Sequence, residues 1–112
     1  MKGIKVFLLS FLCVPVVSLA YVPVEFEACF QGASAYTHID VRILEAIAKV
    51  ESDYNPYDTH VNKDGSVDMG IMQINSTWLP ELRQYGISRR DLYNPCLNIY
   101  VGAWVVKQCI IQ

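Results

Sequence analysis

Two carboxylic acids stand out from the residues around them. From Val41 the apolar positions Leu44 and Ala48 follow in steps of three and four, and the next step of three lands on Glu51. That periodicity predicts a helix with one buried stripe. An acid at the fourth place of the stripe is expected to be part-buried, and it sits at the helix end where the macrodipole disfavours negative charge. Both effects favour a protonated carboxyl, the state that a general acid needs. The bland alternative is a helix end that frays into solvent. Asp68 is the second acid, just past an Asp64-Gly65 turn and beside Gly70-Ile71-Met72-Gln73-Ile74-Asn75. Its polar surroundings predict an ionised carboxylate. Two carboxyl groups in contrasting environments are what glycosidic-bond cleavage uses. The plainer role for Asp68 is a hairpin residue that accepts bonds from its own backbone.

The elements that must position these acids are mostly helical. Phe26, Cys29, Phe30 and Ala33 fall at helical spacing, with Gly32 and Ser34 weakening the end of that helix. Asp40 stands where the N-cap of the Glu51 helix belongs, and Asn55-Pro56 closes it. Arg42, Glu45 and Lys49 share its polar face, with Glu45 and Lys49 spaced for an ion pair. One short β-hairpin is expected around Asp64-Gly65. Pro80 and Gly86 bracket a short helix, and Ser88 with Asp91 forms a capping-box pattern. Asn94-Pro95 opens a last helix, Cys96 to about Gln108, apolar on most sides and therefore in need of neighbours on several faces.

The 112 residues allow one domain. Lys2 and Lys5, the apolar run Val6 to Val17 and the small residues around Ser18-Leu19-Ala20 read as an export signal over 1–20, ahead of a domain at 21–112. An uncleaved anchor is the alternative, although the run is shorter than the ~20 residues that span a bilayer. Removing the signal leaves 7 basic against 11 acidic side chains, formally −4. Beyond Arg89-Arg90, a solvated helix start, no basic cluster remains, which argues against nucleic acid. Cys29, Cys96 and Cys109 stay in the exported chain; in an oxidising compartment they allow one bridge, and their spacing does not choose the pair. His60 to Ile71 imitates a calcium loop, but both end positions carry the wrong residues. No metal is expected, and acid–base chemistry on a sugar requires no cofactor.

Glu51-Ser52 after an apolar helix, followed by Gly70-Ile71-Met72-Gln73-Ile74-Asn75, resembles the first two motifs of the soluble lytic transglycosylase domain. The similarity is greatest to the small exported enzymes that accompany secretion, conjugation and type IV pilus systems. Cys29-Phe30 and Asn94-Pro95-Cys96-Leu97-Asn98-Ile99 belong to it as well. Animal c-type lysozymes are echoed in the stretch from Asn62 through Trp78. The resemblance covers about Ala28 to Trp104. It implies an α+β, mainly α, lysozyme-like fold with one short hairpin and without the C-terminal helices, because the family's third motif, of Ala-x-x-Tyr-Asn-Ala-Gly type, has no counterpart.

The resemblance also implies a monomeric periplasmic lytic transglycosylase. Glu51 would protonate the bond between N-acetylmuramic acid and N-acetylglucosamine, and the muramic C6 hydroxyl would then close on C1. Peptidoglycan strands are the implied substrate, and components of a secretion, conjugation or pilus apparatus the implied partners. Ser52 would support the glutamate, while Gly70, Met72, Gln73 and Asn75 would line the sugar cleft. Gly70 would let backbone approach ligand closely. Met72 has core filling as its alternative, and Gln73 and Asn75 the bracing of the hairpin. A Cys29–Cys96 bridge, leaving Cys109 free, is implied too. Two other functions stay open. One is a lysozyme-type hydrolase with Asp68 as nucleophile or stabiliser. The other is a glycan-binding remnant without turnover.

Overall fold

The computed structural model describes residues 21–111. The expected signal segment, 1–20, lies outside the described residues. The first helix, α1, is Val24–Thr37, and it buries Phe26, Cys29, Phe30 and Ala33 along one side. It runs past Gly32 and Ser34 and stops where His38 turns left-handed (φ 62°), its N–H bonded to the Ser34 carbonyl at 2.8 Å. The Lys107 ammonium donates to the Thr37 carbonyl at 2.7 Å. A cation there is favourable against the C-terminal end of the dipole.

Helix α2 is Val41–Ser52, capped by the Asp40 carboxylate, which accepts from the Arg42 N–H at 2.9 Å. The Arg42 guanidinium also donates to Asp40, and these side-chain and backbone bonds hold the Asp40 carboxyl down at about 2. Lys49 pairs with Asp53 and not with Glu45. Glu45 stands half-buried beside Glu27 of α1, and burial first, then that neighbouring charge, pushes its carboxyl upward. The Lys49 chain instead lies toward the open end of its own helix, where Asp53 in the left-handed region (φ 53°) presents its acid.

In place of a single hairpin there is a three-stranded antiparallel sheet in the order β1-β2-β3, formed by Thr59–Val61, Val67–Met69 and Ile74–Asn75. The Asp64-Gly65 turn joins the first two strands, with Gly65 at φ 87°. The third strand is only two residues long, too short for the period-two alternation by which strands are recognised. A 3₁₀ turn at Ser76–Trp78 leads into α3, Leu79–Arg83. Another at Arg90–Tyr93 begins where the Asp91 carboxylate accepts from the Ser88 N–H at 2.7 Å. Helix α4, Pro95–Ile111, starts as expected at Asn94, whose side chain accepts from the Leu97 N–H at 3.1 Å, and it extends to 111, past the expected 108.

α4 packs lengthwise on α1, while the sheet and its loop close the other side. Phe30, Leu44, Met69, Ile71, Leu92 and Ile99 are fully enclosed. The Cys29–Cys96 disulfide joins α1 to the first turn of α4, and Cys109 is free and exposed. No helix among the described residues is long and apolar enough to cross a membrane.

The bridge closes a loop with a sequence separation of 67. On the chain-entropy account, a loop of that size contributes about 4 kcal/mol by restricting the unfolded chain. Replacing both Cys29 and Cys96 by Ala is expected to lower the urea-unfolding free energy by about that amount, whereas Cys109→Ser leaves it unchanged within about 0.5 kcal/mol. Equal stability of the double variant and the parent would refute this role for the bridge.

Candidate active site

Glu51 lies on the last turn of α2 and is exposed, not part-buried as the stripe suggested. The buried seam of the helix runs Leu44, Ala48, Ser52, in steps of four. At 3.6 residues per turn, a step of three and a step of four from Ala48 fall on either side of the seam, and tertiary contacts choose Ser52. Its hydroxyl donates to the Ile71 carbonyl at 2.7 Å and accepts from the Asn55 N–H at 3.2 Å. Ser52 therefore clamps the helix end to the loop between β2 and β3. Glu51, one residue off the seam, lines a shallow groove of about 640 Å³ formed along α2 and its cap, with Ile43, Ala46, Ile47 and Val50 as its apolar part.

Asp68 is at the middle of β2, opposite His60 on one side and Asn75 on the other. Each carboxylate oxygen accepts one side-chain amide. Asn75 Nδ2 donates to Oδ1 at 2.8 Å, and Asn62 Nδ2 donates to Oδ2 at 3.1 Å. The Ser66 hydroxyl accepts from both asparagines, at 3.1 Å each, and donates to Asp64 at 2.7 Å. Bonds from the Ser66 side chain and backbone hold the Asp64 carboxyl below its ordinary range. Asp68 is thus gripped by neighbouring side chains and not by its own backbone. Asn62 and Ser66 had no separate place in the sequence argument, although the spacing that suits them, around an Asp-Gly turn, was visible.

The loop Gly70 to Gln73 is held from beneath. Asn98 of α4 is fully buried in the core. Its Nδ2 donates to the carbonyls of Met69 (2.9 Å) and Leu92 (2.7 Å), and its Oδ1 accepts the Met72 N–H at 2.8 Å. Gly70 has φ 79°, and a Cβ there would meet the Leu92 carbonyl at 2.6 Å and collide with the Asn98 amide. Protein atoms alone therefore already require a glycine at this position. Met72 is buried against Gly102, where a Cβ would come within 2.8 Å of its side chain. Gln73 takes a left-handed backbone (φ 55°) while its Nε2 donates to the Asp58 and Gly70 carbonyls at 3.1 and 2.9 Å. Besides bracing Asp68, Asn75 accepts the Thr77 N–H at 3.0 Å. Ser52, Met72, Gln73 and Asn75 thus all have internal partners, and Glu51 is the exposed member of the set. Asn98 was legible only as a polar residue on an otherwise apolar helix. Among the described residues no group of His, Cys, Asp and Glu is arranged to hold a metal ion.

A glutamate at a helix end, tied through the next residue to a small antiparallel sheet that carries an amide-held aspartate, defines a lysozyme-like domain. The chain belongs to the Transglycosylase SLT domain family, whose profile matches residues 28–112. It is 39% identical over 80 residues to Invasion protein IagB of Salmonella typhimurium, an alignment covering 70% of this chain and 50% of that one. Protein IpgF of Shigella flexneri is 35% identical over 85 residues, covering 75% and 56%. A Peptidoglycan-binding-like protein of Escherichia coli O157:H7 is 39% identical over 88 residues, covering 71% and 53%. The chain spans about half the length of these relatives.

Removing the Asn98 side chain takes one hydrogen bond from each of two buried carbonyls and one buried N–H. At about 1–3 kcal/mol for each unsatisfied group, Asn98→Ala is expected to cost about 3 kcal/mol or more. Urea denaturation at neutral pH measures this. A loss below about 1 kcal/mol, the worth of one ordinary hydrogen bond, would show that the loop does not depend on Asn98.

Proposed function

We propose that this protein is an exported peptidoglycan lytic transglycosylase with Glu51 as its catalytic acid and base. The observation that carries the reading is the Ser52–Ile71 hydrogen bond, which fixes the helix end bearing Glu51 against the loop that follows Asp68. Membership of the SLT family and likeness to a protein named for peptidoglycan binding support the substrate. A glycan strand laid in the groove beside Glu51 would displace water from it. Glu51 would then give its proton to the glycosidic oxygen as the bond to muramic C1 breaks. The resulting carboxylate would take the proton of the muramic C6 hydroxyl, and that oxygen would close on C1. No water is consumed, and the new end is a 1,6-anhydro sugar. Asp68 would steady the positive charge that develops at C1.

Asp68 also favours a second reading. Its two oxygens are held by Asn62 and Asn75, and a fixed carboxylate of this kind is what the partner acid of a retaining hydrolase requires. In that case water would resolve the intermediate. The disulfide suits an oxidising compartment such as the periplasm. The name of the Salmonella relative, an invasion protein, fits local opening of the wall for an envelope-spanning apparatus.

Mass spectrometry of the fragments released from purified peptidoglycan tests both readings. Glu51→Gln is expected to reduce release by at least about 10²-fold, the contribution of a positioned general acid. Products one water lighter than hydrolysed fragments identify the transglycosylase; products carrying that water, and lost with Asp68→Asn, identify the hydrolase. Release undiminished by Glu51→Gln would rule out both.

A further inference from the structure

Helix α4 carries Leu97, Tyr100, Val101 and Trp104 at i, i+3, i+4 and i+7, a complete stripe along one face. Val101 of that stripe is buried together with Asn98, Ile99, Gly102 and Ala103, while Leu97 and Trp104 are half-buried and Tyr100 is exposed. The stripe forms one wall of a groove of about 330 Å³ that Tyr36 of α1, Leu82 of α3, and Tyr85 and Ile87 just after it complete, a size within the range of small-ligand sites. Tyr36 is 72% exposed and Tyr85 71%. No side chain lining the groove is charged. Among the described residues, none of the three tyrosine hydroxyls at its rim has a protein partner.

Two further features arrange these rings. Trp104 stacks edge-to-face on Trp78 with centroids 5.4 Å apart, and Trp78 lies three residues beyond Asn75, the residue that braces Asp68. Trp104 lines the groove, where Tyr100 and Tyr36 have centroids 6.3 Å apart. Gly32 of α1 makes room for this: a Cβ there would collide with the Tyr100 hydroxyl, so the missing side chain lets that ring lie across α1.

We propose that the Tyr36–Tyr85–Tyr100–Trp104 groove is a second glycan-binding surface, which holds uncharged N-acetylhexosamine units away from the bond being cleaved. This rests on the reading of the protein as a glycan-cleaving enzyme. An aromatic wall with polar tips matches a pyranose, whose C–H faces are apolar and whose edges carry hydroxyls. An uncharged floor matches the N-acetylglucosamine units of the strand, which bear no ionised group.

The test measures binding of the six-unit N-acetylglucosamine oligomer to Glu51→Gln protein, by calorimetry and by tryptophan fluorescence, with no turnover required. In that background, Tyr36→Ala with Tyr85→Ala is expected to weaken binding about tenfold, two exposed stacking rings being removed. Gly32→Ala keeps every ring and suits a helix interior. It is expected to weaken binding at least about threefold by displacing Tyr100, with thermal stability undiminished. Binding within twofold of the parent in both variants overturns the groove assignment alone, because Glu51-dependent release from peptidoglycan is scored separately. Absence of hexamer binding by the parent overturns it as well. So does self-association that the double tyrosine variant abolishes while hexamer affinity is unchanged, an outcome that would give the groove to a second copy of the chain.

Discussion

The carboxamide of Asn98 is where three separate stretches of backbone meet. It takes the end of β2 through Met69, the short turn before α4 through Leu92, and the loop after β2 through Met72. Each of these groups is inside the core, where an unpaired carbonyl or N–H is costly. An amide is suited to the place because it offers donors and an acceptor from one small planar group. Once Asn98 is set, much else is constrained. Position 70 can bear no side chain, because the Leu92 carbonyl and the Asn98 amide occupy that space. Position 102 must also be small, since Met72 is pressed against it. A glycine inside a helix weakens it by about 1 kcal/mol relative to alanine, a modest loss against docking the loop that meets Ser52.

A second network, this one at the surface, fixes Asp68. Asp64, Ser66, Asn62 and Asn75 form a closed set in which Asp64 accepts from Ser66, Ser66 accepts from both amides, and both amides donate to Asp68. Directional bonds of this kind fix the carboxylate oxygens more tightly than packing alone. The second network joins the two strands that flank the loop between β2 and β3, and that loop carries the contacts from buried α4 to the end of α2.

The helices were largely legible in the sequence, and the reasons are local. Phe26, Cys29, Phe30 and Ala33 declare a helix by spacing, and Asp40 and Asn94 announce helix starts by type. The disulfide was available only through resemblance, since three cysteines permit three pairs. What the sequence concealed depends on tertiary partners. β3 has two residues and exists because Asp68 and Met69 pair with it. Lys49 has acids within reach in both directions, and burial of Glu45 beside Glu27 decided for Asp53. Asn98 looked like a polar interruption on an apolar helix. In the candidate site, Glu51 and Asp68 were legible by type and place, whereas the burial of Glu51 was misjudged. Periodicity alone cannot distinguish residue 51 from residue 52 as the seam, because both lie within half a turn of it.

That one-residue offset suits the proposed chemistry better than burial would. A glutamate on the seam would be enclosed between α2 and the loop, out of reach of a polymeric substrate. With Ser52 in the seam, the small hydroxyl makes the internal bond and the longer acid is left facing outward. The backbone nearby is correspondingly constrained: Asp53, Tyr54 and Gln73 all lie at positive φ, between 53° and 62°. Left-handed backbone costs about 1–2 kcal/mol for a residue with a Cβ, so such a conformation persists only where its surroundings over-determine it. Here each has an anchor. Asp53 is paired with Lys49, Tyr54 packs edge-on against Phe30, and the Gln73 amide bonds two carbonyls. Three of the four non-glycine residues at positive φ among the described residues therefore lie in the two turns on either side of the Ser52–Ile71 bond, and the fourth, His38, ends α1. A relaxed turn in either place would lengthen that junction and loosen the position of Glu51 relative to Asp68.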